Sequence, residues 1–165
     1  MKRIPLLFAL APLAAFAADN PDQSFLDHAA QGGLAEVSLG KLAQEKASDP
    51  KVKEFGGMMV TDHSAANAKL KALAEKEGVK LPSSPGMGQA ATKAKLEVLT
   101  GDTFDKSYVK GMVKDHEEDV ALFKTEAASG KDAGAKSFAA ATLPTLEEHL
   151  KKIRAIATAK GIKVD

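Results

Sequence analysis

The sequence contains no cysteine and no tryptophan, and aromatic residues make up only 5% of its 165 residues. Without cysteine there is no disulfide framework and no lipid-attachment residue, so even in an oxidising compartment the core must hold by packing alone. So few aromatics, beside abundant Ala, Lys, Leu and Glu, favour helix and argue against a β-sandwich or barrel. An excess of one charge is missing too: 23 Lys and Arg face 22 Asp and Glu, for a net +1. No strong field is therefore directed at nucleic acid or anionic lipid. There is no glycine-rich phosphate loop, no Gly-x-Ser-x-Gly and no His-Glu-x-x-His.

What is present begins with a leader. "MKRIPLLFALAPLAAFAADN" has basic Lys2 and Arg3, an apolar run from Ile4 to Leu13, and the small-residue pattern Ala15-Phe16-Ala17. Residues 1–17 read as a secretory signal peptide, too short for a membrane anchor, with Ala18 as the mature start. Residues 18–165, about 148 in all, suit a single domain with a sizeable core. The expectation is export to the periplasm or beyond, with no transmembrane segment after cleavage and at most peripheral association with the outer membrane. Partners to expect are a metal ion, an envelope component or a second copy of the chain.

The remaining chain is punctuated for helices. A first runs from near Asp22 to about Ala47. A second starts at Pro50, capped by Asp49, and stops at Gly78. "LPSSPGMG" is a loop and "QAATKAKLEVLTG" a short connecting helix. Asp102 is the expected cap of a third long helix reaching about Ser129, and Asp132 that of a fourth ending at Gly161. Each long helix has an inward stripe at spacings of three and four. The fold class is all-α, a four-helix bundle. The stretch between Gly78 and Asp102 far exceeds the two to eight residues usual between bundle helices. It can return the chain to the other end and make the second and third long helices parallel, the ferritin-like order, although a plain up-down bundle with a long loop is also open.

Each inward stripe is broken by one ionisable residue: Glu36, His63, His116 and His149. Counted from the caps, the first three fall about fourteen residues in and His149 about seventeen, so at about 1.5 Å per residue all lie near mid-height. Met-Val-x-Asp-His occurs twice, as Met59 to His63 and Met112 to His116. Weaker echoes pair Phe25, Gly32 and Glu36 with Phe104, Gly111 and Asp115, and Phe55 and Gly78 with Phe138 and Gly161, which suggests a duplicated helical hairpin. Pro144 stands inside the fourth helix, where a proline costs roughly 3 kcal/mol. A bend there would bring His149 into register, and Thr145 with Glu148 would form a capping box if the helix restarted.

Burying several ionisable groups is costly unless they are paired, shifted in protonation or metal-bound. One carboxylate and three imidazoles make a borderline-hard site suited to zinc, iron, manganese or copper. Glu36, His63, His116 and His149 are the candidate ligands, with Asp62 and Asp115 as supporting groups or further ligands. Met59 and Met112 could offer thioethers to copper(I), though methionine on an inward stripe ordinarily fills core. The Glu-x-x-His pattern of di-iron bundles is absent, which disfavours oxygen activation and ferroxidase chemistry. "HEED" lacks a second histidine, and the acids that follow His116 in it, Glu117 to Asp119, read as a solvated helix face, and His28 as a surface residue. Metal or cofactor binding, a polar network that fixes helix register, and catalysis all stay open, with an enzyme the least favoured.

The segments from "FLDHAAQGGLAEVSLG" to "KLP", with "FDKSYVKGMVKDHEEDVALF" and "LPTLEEHLKKI", resemble a bacterial family of exported proteins. That family is labelled domain of unknown function or predicted outer membrane protein. Its landmarks fall on Glu36, Asp62/His63, Asp115/His116 and Leu143/Pro144/His149. The resemblance implies a ferritin-like helical bundle and export, and supplies neither reaction nor ligand.

Overall fold

The computed structural model describes residues 20–164; the expected signal peptide, residues 1–17, lies outside them. The described residues form five helices and no strand: α1 Gln23–Lys46, α2 Pro50–Glu77, α3 Met87–Glu97, α4 Gly101–Ser129 and α5 Ala133–Ala159. Local chemistry explains most boundaries. Asp49 accepts from the Lys51 amide ahead of Pro50, and Asp132 accepts from the Ala135 amide at 2.7 Å. Both satisfy amides that the first turn of a helix leaves free. α2 ends at Gly78 (φ 70°), and Gly161 (φ 63°) follows α5. The next amide, of Val79 or Ile162, closes back onto the Ala74 or Ala157 carbonyl, at 2.9 Å in each case. The two positions paired by the internal echo thus make the same left-handed stop.

The expected cap of α4 is corrected: Thr100 takes that place, and Asp102 lies in the first turn, where it pairs with Lys106. Nor does α5 restart at Thr145. It runs unbroken through Pro144, and Ala140, Pro144, Thr145 and Glu148 are all exposed. On that face water can serve the Ala140 carbonyl that the proline leaves unbonded.

Hydrogen bonds at the two ends fix the helix directions. Asp22, before α1, accepts from the amides of Lys131 and Asp132 in the α4–α5 turn, while Asn20 reaches Glu77 at the end of α2. At the opposite end Asp105, near the start of α4, accepts from Ser48 and Asp49 in the α1–α2 turn, and Lys160 after α5 pairs with Asp49. α2 and α4 are therefore parallel, α1 and α5 run against them, and the stretch containing α3 carries the chain back along the bundle. This is the ferritin-like order. α3 is pinned by its one buried residue, Leu96, and by Lys46, whose ammonium donates to the carbonyls of Glu97 and Leu99.

The apolar interior divides into two clusters. A lower one gathers Leu39, Val52, Phe55, Met59, Tyr108, Met112 and Ile153. An upper one gathers Phe25, Leu26, Leu70, Val120, Phe123 and Leu146. Glu36, His63, His116 and His149 occupy the level between them. Just below that level α1 and α2 touch backbone to backbone. A Cβ on Gly40 would lie 2.6 Å from the Gly56 carbonyl oxygen, and one on Gly56 2.7 Å from that of Gly40. Any side chain here would wedge the hairpin apart beside the polar level.

Candidate metal centre

His63 on α2, His116 on α4 and His149 on α5 project into the bundle from three helices and are 6%, 0% and 1% exposed. Their rings form a nearly equilateral triangle, with centroids 5.8, 5.4 and 5.4 Å apart. One ring nitrogen from each lies within 4.8 Å of those of the other two. Nitrogens bound to one ion at about 2.0–2.1 Å stand about 3.4 Å apart, so capture needs inward shifts of about an ångström.

Hydrogen bonds turn two of the rings. His116 Nδ1 lies 2.9 Å from the Met112 carbonyl, one helical turn back. A carbonyl only accepts, so Nδ1 carries the proton and Nε2 keeps its lone pair. His149 Nε2 donates to Asp62 at 2.9 Å, which leaves the lone pair on Nδ1. Among the fully buried ring nitrogens, Nε2 of His63, Nε2 of His116 and Nδ1 of His149 have no hydrogen-bond partner. Burial, helped by the neighbouring histidines, pushes His63 down to about 3. Burial and His149 push His116 to about 4, and burial lowers His149 against the opposing pull of Asp62. All three rings are held neutral, the form that donates to a metal.

The other expected site residues fall into different places. Glu36 is 2% exposed at the same level, but its Oε1 lies 4.0 Å from Nδ1 of His116, the nitrogen turned away from the lone pair. Its Oε2 has no partner. Burial, reinforced by Asp119 and Asp115, holds its carboxyl well above the usual range. Asp62 supports a ring, though not the one beside it in sequence: it crosses from α2 to His149 on α5. Asp115, its counterpart in the repeated motif, makes no hydrogen bond to a ring among the described residues, and burial pushes it up to about 6. Met59 and Met112 are fully buried in the lower apolar cluster, one turn below their histidines. His28 is exposed, as expected.

The reading of "HEED" as wholly solvated is corrected at its last residue. Asp119 is half-buried and lines a small cavity with His63, and burial beside Asp115 and Glu118 pushes its carboxyl up to about 7. Its spacing of three from His116, which puts both on one helix face, was the available signal.

Fold and cluster together define an all-α, ferritin-like four-helix bundle with a buried trihistidine centre. More particularly, the chain belongs to the family described as a domain of unknown function (DUF4142), which matches residues 8–156. None of the curated proteins matches it. Among solved structures it is similar to a DUF305 protein from Streptomyces coelicolor, with a TM-score of 0.75 and 16% identity over 90% of this chain and 99% of that one. A DUF305 fragment from Deinococcus radiodurans gives a TM-score of 0.73 at 14% identity, over 84% and 97%. CopM in its Cu(I)-bound form gives 0.68 at 16% identity, over 84% and 96%. At these identities the likeness is one of fold. Among the described residues no helix is long and apolar enough to cross a membrane.

Proposed function

We propose that this protein binds one transition-metal ion through His63 Nε2, His116 Nε2 and His149 Nδ1. One observation carries the reading: these three buried nitrogens have no hydrogen-bond partner, on rings whose donor atoms already converge. A network built only to fix packing would close its bonds internally, because an unpaired buried polar atom costs about 1–3 kcal/mol. Asp62 and the Met112 carbonyl orient two of the rings from behind, as carboxylates and carbonyls do for metal-bound imidazole. Glu36 is the nearby negative charge that a cation would draw out of its protonated form.

Copper is the first ion to test, since the similar CopM structures are described as Ag-, Cu(I)- and Cu(II)-bound. An imidazole site without thiolates also favours Cu(II) over zinc, iron and manganese by the general affinity order. The setting we propose is the periplasm or beyond, reached through the signal peptide of residues 1–17, with residues 18–165 as the working domain. The role is holding an ion rather than turning over a substrate.

The test is elemental analysis of untagged protein from the exported fraction, followed by titration of the stripped protein with Cu, Zn, Fe and Mn. About one ion per chain, lost in the His63→Ala/His116→Ala double variant, is the expected result. Protein that arrives metal-free and whose melting temperature none of the four ions raises would refute the proposal.

A further inference from the structure

An ion bound by these histidines must reach them, and most directions are shut. Beneath the triangle the Phe55 ring stands edge-on to His116 and His149, with centroids at 6.1 and 6.3 Å, and Met59 and Met112 fill the space beside it. On the α2–α5 flank the bond from His149 to Asp62 closes the gap. His63, at 6%, is the most exposed of the three rings.

Above His63 lies a cavity of about 20 Å³ that all four long helices line. That volume is about the space of one water molecule or one bare ion. Its polar walls are Asn67 of α2, Asp119 of α4 and Thr142 of α5, each half-buried, so the cavity stands between the ring and solvent. α1 contributes Gly32, where a Cβ would sit 3.9 Å from Asp119 Oδ1. The missing side chain leaves that carboxylate beside open space.

We infer that this cavity is the route by which a cation enters the centre, with the Asp119 carboxyl as its mouth and Asn67 and Thr142 as relays toward His63. The inference rests on the ion-binding reading above. A hydrated ion is too large for the cavity and must exchange water for other ligands on the way. An amide oxygen, a hydroxyl and a carboxylate supply oxygens for that exchange without the nitrogen donors that would hold the ion short of the histidines. A carboxyl in a narrow cleft, with Asp115 and Glu118 close by, gives up its proton to an arriving cation, concentrates cations there and raises the rate of association.

Two substitutions separate route from site. Asp119→Asn removes the acid at constant shape, compared at pH 8 where the carboxyl pushed up to about 7 is ionised, and Ala66→Leu fills the cavity from α2. Stopped-flow absorbance follows Cu(II) uptake by the metal-free protein. Each variant is expected to bind the same one ion per chain as the wild type, at least about tenfold more slowly, and Asp119→Asn is expected to lose part of the salt dependence of the rate. Wild-type rates in Ala66→Leu, whatever Asp119→Asn does, place the way in elsewhere and overturn the inference, as do wild-type rates in Asp119→Asn. Should Ala66→Leu fail to fold, Asp119→Asn together with Thr142→Val decides by the same criterion. Wild-type protein that takes up no ion removes the function and the route together, whereas normal uptake at unchanged rates in the variants removes the route alone.

Discussion

At the lower end of the bundle Asp105 is wholly buried and accepts three hydrogen bonds, from the Ser48 amide at 3.0 Å, the Ser48 hydroxyl at 2.6 Å and the Asp49 amide at 2.9 Å. Lys160 approaches it to 3.6 Å. About three turns further along α4, His116 is as deeply buried, yet its Nε2 bonds to nothing, and the same holds for a nitrogen of His63, one of His149 and an oxygen of Glu36. Both levels interrupt an apolar core with ionisable groups. The lower one ties the α1–α2 turn to α4, and both oxygens of its central carboxylate are bonded. The middle one is oriented from outside and open at its centre. That contrast separates a polar network that holds a fold together from one that awaits a ligand, and it is open to attack from both ends.

The largest expected effect is at the closed level. Asp105→Ala strips two backbone amides and a hydroxyl of their buried acceptor, and leaves Lys160 without one of its partners. Removing one member of such a buried set costs about 3–5 kcal/mol. Urea unfolding of the metal-free variant should show that loss, with metal stoichiometry intact wherever the protein still folds. A loss under about 1 kcal/mol would mean the lower network is not what joins the hairpins.

His63→Leu/His116→Leu should behave in the opposite way. Exchanging two rings that each leave a buried nitrogen unbonded for apolar groups of similar size is neutral or stabilising in the absence of metal. The variant should forfeit the stabilisation that an ion gives the wild type, about 2.7 kcal/mol at a hundredfold excess over Kd. If the metal-free variant instead unfolds as readily as Asp105→Ala, the two levels are alike and the middle one is structural.

Asp62→Asn sharpens the comparison on a smaller scale. The amide keeps the shape and loses the charge that fixes the His149 proton on Nε2. Metal affinity should fall about 10- to 100-fold with one ion still bound, measured by competition with a chromophoric chelator. Unchanged affinity would place His149 outside the ligand set.

The sequence showed the fold through its punctuation, because Pro50, Gly78, Asp132 and Gly161 act on the backbone within a turn of themselves. The level of the centre was visible for a similar reason: a helix rises by a fixed amount per residue, so counting from the caps placed Glu36, His63, His116 and His149 at one height. Which atoms face one another depends on rotation about each helix and on side-chain torsions, and periodicity carries neither. Glu36 therefore read as a candidate ligand at the level of the histidines, and periodicity could not show that its carboxylate lies nearest Nδ1 of His116. Asp62 read as a supporting group without a stated ring, and it serves His149 across the bundle. Asp105, the most fully bonded of the buried acids, gave no signal, since its partners in the α1–α2 turn are more than 50 residues away in the chain.

The smallest effect concerns the rim of the closed level, where Lys160 donates to Asp49 at 3.0 Å. The Lys160 hydrogen bond holds the Asp49 carboxyl below its ordinary 3.8, and the same bond holds Lys160 above 10.5. A depressed acid stabilises the fold above its unfolded value, so this share of stability is present from about pH 4 upward and fades as pH falls through the lowered value. An elevated base contributes below its unfolded value, so the same share fades again as pH rises beyond 10.5. Lys160→Met should cost about 1 kcal/mol on the plateau between those limits, the scale of a partly exposed pair in a small network. The difference from wild type should shrink toward pH 3 in urea titrations. A difference that stays constant from pH 3 to 6 would assign the effect to the packing of the lysine stem over Asp49, Asp102 and Asp105, and not to its charge.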